Sequence, residues 1–220
     1  MNEKDFIFSK DIKLDGIVKW TAPSNIAIVK YWGKLENQIP QNPSISLTLN
    51  ESITTTSLSL KPKSNNNSNL KFEFEGETNK AFEDKTRAFF KKIDKYFPFI
   101  LNHDIEIKSK NNFPHSSGIA SSASSMAALS ACLVDFEKMN NSEMSDDFFY
   151  KKASFISRIG SGSASRSPYM FISTKDSSLG VVTLATIRLP VRVVSMGNSS
   201  HTASFTYIAL PNFLSVASVC

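Results

Sequence analysis

The 220-residue sequence predicts an α+β fold in which strands come first and a strand–loop–helix unit follows. Alternation of apolar and polar residues with a period of two predicts strands at 44–49, 53–60 and 70–75. Apolar residues at helical spacing predict a helix over about 79–97 and another over about 121–136. A chain of this length can bury the core of one large domain.

The first predicted strand ends in G-I-V-K-W at residue 20, after a leader. The next segment, 21–34, is predicted to be a strand or a tight segment with a turn at Gly33. The two alternating segments that follow have the pattern of strands paired with each other. A short strand at 104–109 leads into a loop before the second helix, and a last helix over about 145–159 ends at Gly160.

The composition is that of a globular protein, and its charge pattern fits a phosphorylated small molecule better than nucleic acid. The net charge of +5 suits an anionic partner, but the lysines are scattered and form no basic block or basic amphipathic helix, which argues against nucleic acid. Cys132 and Cys220 are far apart in the sequence and imply no disulfide framework or metal cluster, and Cys132 is predicted to be a small core residue. His103 and His115 have no partners at metal-ligand spacing, so no metal site is predicted.

The ends of the chain suggest a cytoplasmic protein with a divergent tail. The N-terminus lacks a signal-peptide pattern, and no segment has the roughly 18 apolar residues of a membrane span. Only 4 of the 45 charged residues lie in 168–220, whereas valine, serine and alanine increase there. We interpret residues 1–167 as one domain and 168–220 as a tail that a frameshift or mis-assembly has introduced; a buried strand-rich segment is the alternative.

Residues 111–125 contain six serines, a proline and Gly118 where the second helix begins. A turn of this kind leaves backbone N–H groups free, and the helix dipole adds partial positive charge there. The hydroxyls of Ser121 and Ser122 could bind phosphate oxygens or hold Mg²⁺. The loop is no Walker A motif, because no G-K-[ST] follows the glycine. The alternative is an ordinary helix cap built from serines.

Two further segments combine cations with small or aromatic residues. In R-I-G-S-G-S-A-S-R-S, residues 158–167, two glycines predict a backbone nest, and Ser161, Ser163 and Arg166 could bind phosphate or carboxylate. A flexible linker is the alternative. In K-Y-W-G-K, residues 30–34, Lys30 or Lys34 could pair with an anion, although aromatic residues more often pack in a core.

Taken together and in order, these segments resemble the diphosphomevalonate decarboxylases. The resemblance rests on T-A-P-S-N-I-A-I-V-K-Y-W-G-K, N-P-S-I-S-L-T-L, N-N-F-P-H-S-S-G-I-A-S-S-A-S-S and G-S-G-S-A-S-R-S, and it covers roughly residues 18–167. It implies the N-terminal domain of the galactokinase, homoserine kinase and mevalonate kinase (GHMP) superfamily, a mixed sheet backed by helices like ribosomal protein S5 domain 2. It also implies ATP-dependent decarboxylation of (R)-5-diphosphomevalonate to isopentenyl diphosphate in isoprenoid biosynthesis, with ATP and Mg²⁺ as cofactors.

The resemblance also implies roles for individual residues. The family's ATP-phosphate loop corresponds to Ser117, Gly118, Ala120, Ser121 and Ser122. Its substrate contacts correspond to Tyr31, Trp32, Gly33, Lys34, Lys85, Ser161, Gly162, Ser163, Ala164, Ser165 and Arg166. Lys30 matches a lysine near the reacting groups, and Arg166 matches the arginine that grips the substrate carboxylate, so both are the expected catalytic residues.

This sequence departs from the family pattern after residue 167. The family's C-terminal domain, which carries the aspartate regarded as the catalytic base, is missing from the sequence, so activity of this chain is expected to be weak or absent. A homodimer is expected by family, with no nucleic acid and no membrane as partner. Two alternatives stay open: a non-catalytic remnant that binds nucleotide or a partner, and a sister mevalonate 3-kinase or phosphomevalonate decarboxylase.

Overall fold

The protein packs three helices against a five-stranded sheet. The structure is a computed structural model that describes residues 3–8, 12, 14–30, 32–39, 41–42, 44–63, 69–141 and 143–166, with the backbone alone for Asn37, Ile45 and Arg166. Its strands are β1 (Gly16–Val29), β2 (Ile45–Pro62), β3 (Leu70–Phe74), β4 (Glu77–Thr78) and β5 (His103–Asn111). Its helices are α1 (Lys80–Ile93), α2 (Ser121–Met139) and α3 (Asp146–Gly160), with short 3-10 helices at Glu3–Phe6, Glu36–Gln38, Asp94–Tyr96, Pro98–Asn102 and Gly162–Arg166.

The sheet is mixed and has the strand order β1-β2-β5-β3-β4. β2 pairs antiparallel with both β1 and β5, whereas β3 lies parallel to β5 and antiparallel to β4. The parallel pair requires a long crossover between β3 and β5, and α1 lies within that connection. The predicted α+β fold with a mixed sheet backed by helices is therefore confirmed.

The prediction that segments 44–49 and 53–60 pair with each other is wrong. Both belong to β2, and both pair with β1, which itself runs unbroken through the two segments predicted separately before Gly33. Pro23 pairs with Ile53 but Ser24 pairs with Leu49, so the residues between them form an irregularity in β2. A tight reversal there would favour residues with positive φ, and N-E-S at 50–52 offers neither a glycine nor a left-handed residue.

The core lies between the sheet and the helices. Leu58, Leu60 and Ile107 of the sheet are fully buried, as are Leu133 of α2 and Ile156 of α3. A second group of fully buried side chains follows α1 and consists of Tyr96, Phe97 and Phe99. Cys132 is also completely buried, which confirms its prediction as a core residue, and burial raises the pKa of its thiol to about 12.

Helices α2 and α3 form an antiparallel pair across the connection 140–145. Glu137 of α2 accepts a short hydrogen bond from Lys152 of α3, and Gly160 of α3 lies against Met126 of α2. Residues nearer the start of α2 therefore contact residues nearer the end of α3. The beginning of α2 and the end of α3 consequently lie at the same end of the pair, and these are the places where the two serine-rich segments occur.

Candidate functional site

The loop between β5 and α2 has a backbone in which amide groups can converge. Ser116, Gly118 and Ala120 have φ values of 63°, 82° and 58°, so alternate residues over a short stretch are left-handed. Alternation of left-handed with other residues creates concavities lined by N–H groups, of the kind that bind anions. Glycine favours this geometry at 118, whereas Ser116 and Ala120 adopt it at a conformational penalty.

Helix α2 begins without a side-chain cap. Its N-cap residue is Ala120, which makes no side-chain hydrogen bond, and the first turn contains no acidic residue. The N–H of Ala123 donates to the carbonyl of Ala120 at 2.8 Å, but the N–H groups of Ser121 and Ser122 have no acceptor among the described residues. The alternative of an ordinary serine cap is therefore wrong. The positive end of α2 is available to an anion.

The residues at the start of α2 suit a nucleotide phosphate better than a metal ion that protein side chains alone would hold. The described residues contain no group of three His, Cys, Asp or Glu that could hold a metal ion. Mg²⁺ would be held by phosphate oxygens, with the hydroxyl of Ser121 or Ser122 as the protein ligand, in line with its use of few protein ligands beside substrate phosphates. Ser122 is exposed and Ser121 half-buried, so both hydroxyls are accessible.

Aromatic residues support one side of this loop. The ring of His115 lies 5.2 Å from the ring of Phe74 and 5.4 Å from that of Phe82, and its Nδ1 is 3.5 Å from the hydroxyl of Ser121. The exposed Lys85 places its ammonium 5.7 Å from the Phe82 ring. Lys85 thus lies beside an aromatic residue that supports the loop before α2, and none of its described contacts joins it to the segments 30–34 or 161–166.

The segment after α3 is a helical turn, and the nest predicted there is wrong. Residues 162–166 form a 3-10 helix, and none of the described residues from 158 onward has positive φ. The carbonyl of Ser165 accepts from Ser154 at 2.6 Å, while the hydroxyl of Ser165 donates to Gly162 at 3.3 Å. Gly162 and Ala164 are buried, and the hydroxyls of Ser161 and Ser163 have no partner among the described residues.

The segment 30–34 lies in the exposed connection between β1 and β2. Trp32 is 81% exposed, so core packing does not explain this aromatic residue. Gly33 has a φ of 81°, and a Cβ there would clash with the side-chain oxygen of Gln41. Lys30 and Lys34 are exposed, and the ammonium of Lys34 donates to Gln38 at 2.6 Å. Tyr31 and the side chain of Arg166 lie outside the described residues.

Adjacent residues of β1 reach both serine-rich segments. Ser24 donates a short hydrogen bond to the carbonyl of Ile119, just before α2, and the amide nitrogen of Asn25 lies 3.4 Å from the carbonyl of Ser163. Sequence reasoning missed both residues. The signal that could have found them is a polar pair within the apolar strand pattern of β1, where four consecutive residues, 22–25, are buried.

The mixed sheet with its crossover helix has the GHMP-kinase fold, as its likeness to solved structures at 30–33% identity and TM-scores of 0.55–0.56 shows. Residues 22–177 match the model of the diphosphomevalonate decarboxylase-like N-terminal domain. The chain therefore belongs to the diphosphomevalonate decarboxylase-like family. This match includes ten residues, 168–177, of the segment that composition sets apart from the rest of the chain.

Individual relatives agree with the family match. Diphosphomevalonate decarboxylase of Gibberella zeae is 34% identical over 159 residues, which are 67% of this chain and 40% of that protein. The solved complex of MDDEF with MVAPP, AMPPCP and magnesium is 30% identical, with a TM-score of 0.56, over 69% of this chain and 44% of that one. A structure of the Enterococcus faecalis mevalonate diphosphate decarboxylase, which concerns ATP binding mediated by mevalonate diphosphate, has the same identity and TM-score over 69% and 45%.

The chain spans about 40% of the length of curated relatives such as those of Gibberella zeae, Ganoderma lucidum and Saccharomyces cerevisiae. In the part of the chain that the structure describes, no helix is long and apolar enough to cross a membrane.

Proposed function

We propose that this chain provides the nucleotide- and substrate-binding half of an ATP-dependent decarboxylase of (R)-5-diphosphomevalonate. The observation that carries the proposal is the uncapped, serine-rich start of α2 within a family match that also contains segments 30–34 and 161–166. Phosphoryl transfer needs anion sites and charge neutralisation around the transferred group, and helix N-termini and cations provide both.

The reaction assigns a task to each segment. ATP transfers its γ-phosphoryl group to the tertiary 3-hydroxyl oxygen of the substrate, with release of ADP and of the hydroxyl proton. The C–C bond to the carboxylate then breaks, and its electron pair forms the double bond of isopentenyl diphosphate as phosphate leaves with CO₂. Residues 117–122 bind the nucleotide phosphates, while 30–34 and 161–166 hold the substrate diphosphate and carboxylate. Lys30 and Arg166 are the proposed catalytic residues, and Lys85 is a proposed substrate-diphosphate contact.

Binding and turnover test the proposal separately. In calorimetry, the full chain is expected to bind AMPPCP with Mg²⁺ and, independently, diphosphomevalonate; absence of both would overturn the proposal. A coupled assay for ATP-dependent CO₂ release then measures turnover. Binding without turnover would support the non-catalytic remnant, and phosphorylation of mevalonate without decarboxylation would support the sister 3-kinase.

Assembly and location form part of the same proposal. Relatedness to metabolic enzymes suggests a cytoplasmic homodimer, and the exposed apolar residues Ile26, Ile28, Val29 and Leu35 give this end of β1 a surface for a partner to cover. Light scattering after size-exclusion chromatography would give the mass, and a monomer would contradict the dimer. A fluorescent fusion would show the location.

The composition change near residue 167 carries a separate proposal about the tail. We infer that the tail 168–220, which lies outside the described residues, derives from a changed reading frame or a mis-assembled coding region, although the family match continues to residue 177. Reading the genomic DNA beyond the codon for Ser167 in all three frames tests this inference. A continuous family sequence in another frame is expected, and an uninterrupted native frame through residue 220 would contradict it.

A further inference from the structure

Buried hydroxyls lie directly beneath the loop that precedes α2. Ser24 of β1 and Thr54 of β2 are completely buried, and both contact this loop or the first turn of the helix. Buried hydroxyl groups on a sheet are unfavourable unless each has a specific partner. Their partners here indicate what they do.

Ser24 fixes the peptide unit just before the helix. Its hydroxyl donates to the carbonyl of Ile119, and that carbonyl belongs to the same peptide unit as the N–H of Ala120. The described backbone contains no cis peptide bonds, and in a trans peptide unit the carbonyl and the N–H point in opposite directions. Holding the carbonyl against β1 therefore directs the N–H of Ala120 away from the sheet.

Thr54 anchors the first turn of α2 to the sheet. Its hydroxyl donates to the side-chain oxygen of Asn111 at 2.7 Å and lies 2.6 Å from the hydroxyl of Ser124. Either hydroxyl can donate in the second contact, and the Ser124 hydroxyl also lies 3.1 Å from the carbonyl of Ser121 in the first turn of α2. Ser124 is completely buried as well, so its bond with Thr54 is shielded from water. It fixes the turn that contains the N–H groups of Ser121 and Ser122.

We propose that Ser24 and Thr54 are positioning residues for the nucleotide phosphates, because they fix the carbonyl side of the loop and thereby aim its N–H groups outward at the anion. Neither residue needs to touch the ligand. Preorganised N–H groups bind an anion more tightly than mobile ones, since less ordering is needed on binding. The inference rests on the proposed nucleotide site of the preceding section.

Matched variants isolate each hydroxyl. Ser24→Thr keeps the hydroxyl and Ser24→Val lacks it, while both add bulk at a fully buried position. Thr54→Val removes the second hydroxyl, and Thr56→Val is its control. Thr56 is a buried threonine on the same strand, and its hydroxyl lies 3.0 Å from that of Ser109 on β5 rather than contacting α2.

Two measurements on the full chain test the proposal. We expect Ser24→Val and Thr54→Val to weaken binding of AMPPCP with Mg²⁺ by about fivefold to tenfold, the effect of one hydrogen bond, relative to Ser24→Thr and Thr56→Val. Affinity for diphosphomevalonate should change less than twofold. In ligand-free protein, hydrogen exchange in a peptide covering 117–127 should accelerate in the two test variants and stay unchanged in the two controls.

The outcomes separate this inference from the proposed function. If the wild-type chain binds no nucleotide but exchange accelerates as expected, Ser24 and Thr54 position the loop and the proposed function fails. If exchange and affinity are the same in Ser24→Val as in Ser24→Thr, and in Thr54→Val as in Thr56→Val, the positioning role is overturned. If Ser24→Val does not fold, the comparison of Thr54→Val with Thr56→Val decides.

Discussion

The buried ion pair between Glu137 and Lys152 offers the sharpest test of how α2 and α3 are held together. The two side chains are 4% and 1% exposed, and the lysine ammonium also lies 3.4 Å from the carbonyl of Tyr96 and 4.6 Å from the centre of the Phe97 ring. Burial raises the pKa of Glu137 and lowers the pKa of Lys152, because desolvation disfavours both charged forms. Each charge therefore depends on the other.

Lys152→Met removes the cation and leaves a carboxylate in the core. Breaking a buried pair in this way costs about 3–5 kcal/mol, a large part of the roughly 5–15 kcal/mol that stabilises a typical domain. With a urea m-value of about 2 kcal/mol/M, the unfolding midpoint should fall by about 1.5–2.5 M. Replacing both residues, Glu137→Met with Lys152→Met, should restore most of this loss, because neither charge then remains buried.

Urea unfolding followed by tryptophan fluorescence measures these changes. Trp20 is a suitable reporter, since its indole nitrogen donates to Asp135 of α2 at 2.8 Å and its ring lies 4.9 Å from that of Phe149 of α3. Lys151→Met is the matched control, because this neighbouring lysine forms an exposed pair with Asp147 and should contribute about 0.5 kcal/mol or less.

Two results would refute this reasoning. The first is that Lys152→Met lowers the free energy of unfolding by no more than Lys151→Met does. The second is that the double variant is no more stable than Lys152→Met.

The pH dependence of stability adds a further check on the Lys152→Met variant. Since the pKa of the unpaired Glu137 would lie above its unfolded value of 4.5, the native state gains stability by binding a proton below that folded pKa. The loss of stability in Lys152→Met, relative to the wild type, should therefore be smaller at pH 5 than at pH 8.

Two further predictions concern groups outside the candidate site. In a Cys220→Ser chain, Cys132 should not react with an aromatic disulfide reagent at pH 8 until urea unfolds the protein, because burial raises its pKa to about 12; prompt reaction of the native chain would contradict this. Hydrogen bonds from Lys95 and then Tyr96 lower the pKa of Glu3, so the stability it contributes is present above pH 4.5 and is lost as the pH falls through its folded pKa. Glu3→Gln should consequently show a shallower acid-induced fall in urea midpoint than the wild type, and equal slopes would disprove that contribution.

The sequence predicted helix positions well where local signals mark their ends. Helix α3 begins after Ser145, whose side chain accepts from the N–H of Phe148, and such caps can be recognised in a sequence. Helix α1 was predicted to reach 97 but ends at Ile93, and a 3-10 turn follows. Pro98 explains the difference, because it disfavours helical backbone at the residue before it, and Phe97 has φ and ψ values of −142° and 69°.

The tertiary contacts of the site were beyond sequence reasoning. The serine-rich start of α2 could be recognised from its composition, and the alternation in β2 was visible as well. The irregularity opposite Pro23 could not be predicted, because it depends on β1 being long enough to pair with both halves of β2. The contacts of Ser24 with Ile119 and of Asn25 with Ser163 join residues 95 and 138 positions apart, and no periodicity reports on such pairs.

The antiparallel arrangement of α2 and α3 gives a physical reason why the two proposed anion-binding segments differ in charge. At the shared end of the pair, α2 presents its N-terminus and α3 its C-terminus, so the helix dipoles place partial positive charge at 121 and partial negative charge at 160. The loop before α2 can therefore bind phosphate with backbone N–H groups and needs no lysine of its own. An anion beside 161–166 would instead meet the negative end of α3, and the sequence places a cation, Arg166, within that segment. The proposed roles of a lysine-free loop at 118–122 and of an arginine at 166 are both consistent with the dipoles of this helix pair.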